Sequence, residues 1–206
     1  MTNINTAFGL RPLGVNGSGP NSAGLTEYRI ASNNTDDIWQ GSPVIGSNAG
    51  FITRLASATG DQANPVGVFV GCQYVDAVTR EPRWSNYWPG GGALAAAPIK
   101  AYVVDNPNQL FLVAASAAFA SDAALQAAVF ANANLANGNA GVDATGISTA
   151  TLDVTTLATT ANHLLRVVGI SDDASNADRT AAGIGLIVRF NRHFNAPVGT
   201  TTGLFA

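Results

Sequence analysis

The sequence predicts an all-β protein: a β-barrel or β-sandwich of about ten short strands, with one peripheral helix and extended N- and C-terminal arms. Short apolar segments alternate with turn residues at close spacing, as they do in barrels and sandwiches. Helical segments do not alternate with strands, which disfavours an α/β fold. The 206 residues are 47% hydrophobic, which is enough to form a core.

The chain divides into an N-terminal arm and flexible link at 1–24, a β-rich domain at 25–193 and a C-terminal tail at 194–206. The arm begins with an apolar segment around Phe8 and Leu10. It continues as VNGSGPNSAG, a composition typical of a flexible connection. Two interpretations of the apolar segment stay open: an edge strand of the same domain, or a segment that docks on a neighbouring subunit.

The stretch 66–89 organises the β domain. Residues 66–75 alternate, which predicts a long central strand. Strict alternation would place Val66, Val68, Val70, Cys72 and Tyr74 on one face and the residues between them on the other. A polar break follows at 76–82, and the aromatic segment 83–89 is expected to return beside the central strand.

The remaining strands are predicted at 25–31, 42–45, 51–56, 99–105, 109–114, 151–156, 162–170 and 184–192. A turn at 48–50 joins 42–45 and 51–56 into a hairpin. The sequence Asp105-Asn106-Pro107-Asn108 places turn residues between two apolar runs. It therefore predicts a second hairpin, which pairs 99–105 with 109–114.

One helix is predicted near 122–135. Ser121 is a favourable N-cap, and good helix formers follow it. The apolar face is weak, with Leu125 and Leu135 as its largest residues, so we expect the helix to cover the surface rather than to form core. Asn137-Gly138 would end it.

The chain carries few charges. Charged residues make up 11% of the sequence, against roughly 25% in an average soluble domain. The net charge is −3. Such a surface suits a chain packed against neighbours, and a low-charge secreted module also fits. The arginines are scattered singly, which disfavours a phosphate-tracking patch and nucleic-acid binding.

The sequence predicts neither a membrane span nor a disulfide. Its apolar runs fall short of about 18 residues. The N-terminus lacks the basic and apolar regions of a signal peptide. Cys72 is the single cysteine, and its place in an apolar strand predicts an inert thiol. We therefore expect no membrane partner and synthesis in a cytoplasm without a cleaved leader.

No catalytic or metal site is predicted. His163 and His193 are each expected at a strand position, and neither has Cys or Glu at metal-ligand spacing. The acidic pairs Asp36-Asp37 and Asp172-Asp173 lack the calcium-loop pattern. The glycine run at 90–92 lacks the residues that complete a phosphate loop. We expect no catalytic residue, no cofactor and no metal.

The sequence places three aromatic residues close together, Trp84, Tyr87 and Trp88, which we call the aromatic cluster. Flat aromatic rings can stack on sugars, so the cluster could bind a glycan. Aromatic residues are also enriched in cores and in subunit contacts. The favoured interpretation is that the three residues seal the core or a subunit contact.

Short motifs extend from the start of the chain to its last predicted strand. They are 7–12 (AFGLRP), 27–31 (EYRIA), 40–44 (QGSPV), 67–72 (GVFVGC), 85–90 (SNYWPG), 166–169 (RVVG) and 188–191 (VRFN). In content and order they resemble the virion structural proteins of tailed bacteriophages that are taken to be capsid decoration, or cement, proteins. The resemblance matches least well over 115–139.

The resemblance implies a β-rich protein bound to the outside of an icosahedral shell. The partner would be the major capsid protein, and the assembly unit would be a homo-oligomer, commonly a trimer. Such a protein stiffens the shell against the packaged genome and carries no enzymatic residues. It would lie on the outer capsid surface of the virion, and in the host cytoplasm before assembly.

The two arms and the aromatic cluster supply the candidate residues for a partner interface. They are Phe8, Leu10, Arg11, Trp84, Tyr87, Trp88, Phe194, Leu204 and Phe205. An arm can add as a strand to a neighbour's sheet. The alternatives are a host-surface glycan-binding module, another head or tail structural protein, and a polysaccharide hydrolase. The hydrolase would need two carboxylates facing each other in a cleft.

Overall fold

In the part of the chain that the structure describes, the strands form two larger sheets and three two-stranded ribbons. A computed structural model describes residues 6–17 and 24–196, apart from the side chain of Ser175. Within these residues the predicted all-β class is confirmed. The strands are β1 Arg11–Val15, β2 Thr26–Ile30, β3 Asp37–Ile38, β4 Pro43–Gly46, β5 Ile52–Arg54, β6 Gly67–Val75, β7 Pro82–Ser85, β8 Trp88–Pro89, β9 Ile99–Val104, β10 Gln109–Ala114, β11 Asn132–Ala133, β12 Leu135–Ala136, β13 Gly141–Val142, β14 Ile147–Ser148, β15 Thr151–Leu152, β16 Leu165–Ile170 and β17 Gly185–Phe190. The helix α1 is Asp122–Ala127, and two 3-10 helices are Val154–Thr156 and Ala174–Asn176.

Five strands close into a small barrel. Their order is β4-β5-β2-β9-β6, and β6 pairs back with β4, so the ring is complete. β7 continues the sheet as a sixth strand on β6. β2 and β5 are parallel where Ile30 faces Ile52, and the other barrel pairs are antiparallel. Phe69, Trp88 and Ile99 are among the fully buried side chains of its core.

A second sheet lies beside the barrel in the order β1-β10-β17-β16-β11, with antiparallel neighbours throughout. The predicted strands at 162–170 and 184–192 form its centre as β16 and β17. Phe111, Leu165 and Val188 are buried in its core. Val68 of the barrel strand β6 belongs to this same core, so β6 contributes side chains to the cores of both sheets.

The predicted alternation of the central strand is interrupted by a β-bulge. The register of β6 against β9 shifts between Phe69 and Gly71. The shift adds a residue to one strand and reverses the faces beyond it. Phe69, Cys72 and Tyr74 therefore lie in the barrel core, while Val68 faces the second core. The prediction that Val68, Cys72 and Tyr74 share one face is wrong. The predicted return of 83–89 beside this strand is confirmed for its first part, since β7 pairs with β6, whereas Trp88 and Pro89 pair with β3 instead.

The hairpin predicted at 99–114 does not form. Both strands are present, but β9 pairs with β2 and β6, whereas β10 pairs with β1 and β17. The turn residues at 105–108 instead carry the chain from the barrel to the second sheet. These turn residues indicate where the chain changes direction, but they do not determine which strand β10 pairs with. The other predicted hairpin, of β4 with β5, is confirmed.

The helix is shorter than predicted. Ser121 caps it as expected, since its side chain accepts a hydrogen bond of 3.1 Å from the N–H of Ala124. α1 ends at Ala127, and the rest of the predicted range contains a turn, β11 and the first residue of β12. Asn132 is fully buried, and its side chain binds the Arg166 side chain and the Thr160 carbonyl. These tertiary contacts override the modest helix propensity of 128–135.

The N-terminal segment contributes to the domain itself. β1 is an edge strand of the second sheet, paired with β10, and Leu10 is fully buried in that core. Gly9 has φ +69° and lies so close to Gly41 that a Cβ atom would approach the Gly41 carbonyl oxygen to 2.8 Å. Of the two interpretations of the arm, the edge strand is the one seen. Residues 1–5 and 18–23 lie outside the described residues.

Candidate interaction surface

The aromatic cluster of the sequence is separated by the fold. Trp88 is fully buried and its ring packs edge-on against Tyr74, with centroids 5.3 Å apart. Tyr87 is half-buried, and its carbonyl accepts a hydrogen bond from the Cys72 thiol. Trp84 alone projects into solvent, with 65% of its surface exposed. Trp88 is therefore a core residue, and a platform made of all three aromatics is ruled out.

Trp84 has a different aromatic partner. Its ring stacks on Tyr102, with centroids 5.6 Å apart and planes 15° from parallel. β7 carries Trp84 and β9 carries Tyr102, and β6 pairs with both strands. Gly71 of β6 faces Tyr102, and a Cβ atom at Gly71 would approach the Ser85 carbonyl oxygen to 2.9 Å.

These residues border an apolar groove of about 440 Å³, which we name the Trp84 groove. Its lining is Leu25, Val70, Gly71, Cys72, Trp84, Ser85, Asn86 and Tyr102. None of these residue types is charged at neutral pH. Burial raises the pKa of the Cys72 thiol to about 12, so its thiolate is scarce. The groove can bind an apolar group by excluding water but offers little acid–base chemistry.

The N-terminal candidates divide between surface and core. Leu10 is buried, so a role in a partner interface would require it to leave its own core. Phe8 is half-buried, and the Arg11 guanidinium lies 4.8 Å from the centre of its ring. Both residues, with Leu13 and Ile147, border a second groove of about 590 Å³. Leu13 on β1 is 49% exposed and was absent from the sequence-based candidates.

The C-terminal candidates follow the last strand. Phe194 is 67% exposed, and its backbone N–H donates a hydrogen bond of 2.9 Å to the Pro65 carbonyl. The side-chain amide of Asn195 donates to the Asp105 carbonyl over 3.4 Å. Leu204 and Phe205 lie outside the described residues.

Acidic residues meet at one place on the surface. Arg54 forms an ion pair of 2.9 Å with Asp36, and Asp143 accepts a hydrogen bond of 2.8 Å from the Trp39 indole. Burial raises the pKa of Asp37, the neighbouring Asp143 adds to this effect and Arg54 opposes it. These contacts tie the loops around β3 and β13 together, which is a structural role.

The two histidines do not lie in strands as predicted. His163 precedes β16, and His193 follows β17. His193 is buried, and its ring packs on Phe190 with centroids 5.7 Å apart. Within residues 6–17 and 24–196, no group of three His, Cys, Asp or Glu side chains is placed to hold a metal ion. Across the same residues no helix has the length and apolar character needed to cross a membrane.

Among the residues that line the Trp84 groove, the sequence-based candidates included only Trp84, and they missed Leu25 and Tyr102 among others. Leu25 and Tyr102 lie in predicted strands, and no local sequence motif distinguishes them from the other apolar and aromatic residues of those strands. The signal that could have found Tyr102 is strand pairing, which puts it across β6 from Trp84. Comparison of the chain with known protein families, with curated proteins and with solved structures yields no match.

Proposed function

We propose that the protein is a virion structural protein, a decoration or cement protein on the outer capsid surface of a tailed bacteriophage. Its partner is the major capsid protein, and it assembles as a homo-oligomer, most simply a trimer. It acts by adhesion across the seams of the shell. The proposal assigns it no catalytic residue, cofactor, nucleic acid or membrane.

One observation carries the proposal: two sheet edges each present a large apolar side chain to solvent. β1 and β7 have one partner strand each within the described residues. Leu13 on β1 is 49% exposed and Trp84 on β7 is 65% exposed. An edge strand can extend a neighbour's sheet through its backbone, while side chains fill pockets. Only 11% of the residues in the chain are charged, but Arg11 lies on β1 and Arg83 on β7, so a partner strand must accommodate these two charges.

Many weak contacts would add up on a shell. Each copy needs only a modest interface, because several copies bound to one lattice gain avidity. Burying the exposed parts of Leu13 and Trp84 would contribute about 25 cal/mol for each Å² of apolar surface removed from water. This is a mechanical role that requires no chemical site.

The test compares particles with and without the protein under heat and low salt. We expect the complete particles to retain their genome longer, and equal retention would count against a cement role. Leu13→Asp and Trp84→Ala should each weaken binding to undecorated shells by more than about tenfold. Asn48→Asp, which adds a charge at an exposed turn, is the matched control and should bind normally.

A second candidate, a host-surface glycan-binding module, is favoured by the exposed stack of Trp84 on Tyr102. A glycan array with the purified protein and adsorption of particles carrying Trp84→Ala separate it from the first. Absence of glycan binding together with normal adsorption would remove this candidate. The fold shifts this test from Trp88, which is buried, to Trp84.

A further inference from the structure

The second sheet has one face on its core and one face that points away from it. Phe111 pairs with Val188, and Val188 pairs with Val167, so all three side chains point into the core. Side chains alternate along a strand, so the residues beside these three point outward. Two large apolar side chains at outward positions of β10 and β17 are half-buried, Leu112 and Ile187. Leu13 of the edge strand β1 lines the same groove as Leu112 and extends this apolar surface.

Three arginines that are far apart in the sequence share this face. Arg11 on β1 is the direct partner of Leu112 and therefore points to the same side as Leu112. Arg189 lies two residues beyond Ile187 on β17, and Arg166 on β16 is the direct partner of Arg189. We name this surface the outer face, and its members are Leu13, Leu112, Ile187, Arg11, Arg166 and Arg189.

Arg166 and Arg189 bring two positive charges together. Direct partners in an antiparallel sheet have Cβ atoms about 5 Å apart, and like charges at such positions destabilise the sheet. Nε of Arg166 donates a hydrogen bond of 3.0 Å to Oδ1 of Asn132, which orients this guanidinium. Burial and, after it, the charge of Arg189 lower the pKa of Arg166. Among the residues that the structure describes, no carboxylate forms an ion pair with Arg189. The fold thus retains a repulsive pair, which a carboxylate from another molecule would relieve.

The positive charge of the outer face is concentrated at Arg166 and Arg189. Asp173 lines the same groove as Arg11 and offsets part of the Arg11 charge. A partner's carboxylates are therefore expected at Arg166 and Arg189 rather than at β1. Nucleic acid fits less well, because the phosphates along its backbone require a row of positive charges, and the outer face offers one pair.

We propose that the outer face docks on a protein surface that presents carboxylates beside an apolar patch. This docking rests on the capsid role proposed above and specifies its contact, since the surface would belong to the major capsid protein. A carboxylate placed at Arg166 and Arg189 accepts charge-assisted hydrogen bonds and removes their repulsion. The apolar patch covers Leu13, Leu112 and Ile187 and excludes water from them.

Binding of the purified protein to undecorated shells at several salt concentrations tests this contact. Arg189→Glu should weaken binding by at least about tenfold at about 0.1 M salt, and wild-type binding should itself weaken as the salt concentration rises. Because the introduced carboxylate lies opposite Arg166, this variant should unfold at a urea concentration no lower than the wild type does. Arg189→Gln should weaken binding by at least about threefold, and it keeps the test valid if Arg189→Glu misfolds.

Arg29→Glu on the barrel strand β2 is the matched control, because it changes the net charge equally at another exposed position. It should bind within about twofold of the wild type, since salt screens distant charges. Normal binding by Arg189→Glu, or equal losses in Arg189→Glu and Arg29→Glu, would overturn the docking. Binding to a DNA duplex that Arg189→Glu abolishes would also overturn it, because phosphates would then be the ligand. Shells that fail to bind even the wild type would refute the capsid role itself, and the docking with it.

Discussion

Nδ1 of His193 accepts a hydrogen bond of 3.1 Å from the backbone N–H of Asn195. Because Nδ1 must offer a lone pair to this donor, the neutral ring carries its proton on Nε2. Nε2 is buried without a hydrogen-bond partner among the described residues. Burial lowers the pKa of His193 below its ordinary 6.5, and the charge of Asp105 opposes this shift.

Protonation of His193 is therefore expected to destabilise the fold. The unfolded chain takes up this proton near pH 6.5, and the folded protein only at lower pH. The contribution of neutral His193 to stability is therefore fully present above about pH 6.5. It decreases as the pH falls from there through the folded pKa of His193. Urea unfolding at about pH 7.5 and about pH 5.5 measures the loss. His193→Gln should lose less stability than the wild type, whereas His163→Gln should behave like the wild type. An identical loss in all three proteins would contradict this prediction.

Trp88 and Trp84 are four residues apart, but replacing each with Ala should cost very different amounts of stability. Trp88→Ala empties a fully buried site of the barrel core and should cost about 3–5 kcal/mol of unfolding free energy. Trp84→Ala removes an exposed ring and its stack on Tyr102, at a cost of about 1 kcal/mol. Denaturant unfolding of both variants checks the difference, and similar losses would refute the assignment of Trp88 to the core.

Leu10 and Leu13 provide a second matched pair. Leu10→Ala creates a cavity in the core of the second sheet and should cost about 2–5 kcal/mol. Leu13→Ala changes a half-exposed side chain and should alter stability by no more than about 0.5 kcal/mol. For the same reason, deletion of residues 1–13 is expected to destabilise the domain. A deletion variant with wild-type stability would show that the segment is a dispensable arm.

The Cys72 thiol should be unreactive in the folded protein. Burial raises its pKa from 9.0 to about 12. At pH 8 this lowers the thiolate fraction roughly a thousandfold, and burial also restricts access. Alkylation with iodoacetamide should proceed in denaturant and be slower by at least that factor without it. Rapid alkylation of the native protein would show that the β6 bulge opens readily.

Strands with a clear alternation of apolar and polar residues were predictable from the sequence. Which strands pair with each other was harder to predict. β16, β17 and the β6–β7 pair follow from local patterns. The β9–β10 hairpin was wrong because turn residues do not encode which sheet the next strand joins. The helix was overextended because buried contacts of Asn132 decide the conformation of that segment.

The candidate surface was predictable only in part. Trp84 and Phe194 were identified and are exposed, whereas Leu10 and Trp88 are buried. The exposure of Trp84 depends on the β-bulge in β6, because the bulge reverses the faces of β6 and β7 pairs with β6 beyond it. Tyr102 joins Trp84 through pairing between strands far apart in the sequence, so a local pattern could not reveal the stack.

The shared strand β6 has a mechanical consequence. Its neighbouring residues Val68 and Phe69 belong to different cores. If one half of the molecule opened, it would pull this strand out of register in the other half too. Both the barrel and the second sheet therefore resist a force applied to either of them, and we expect the protein to unfold in a single step.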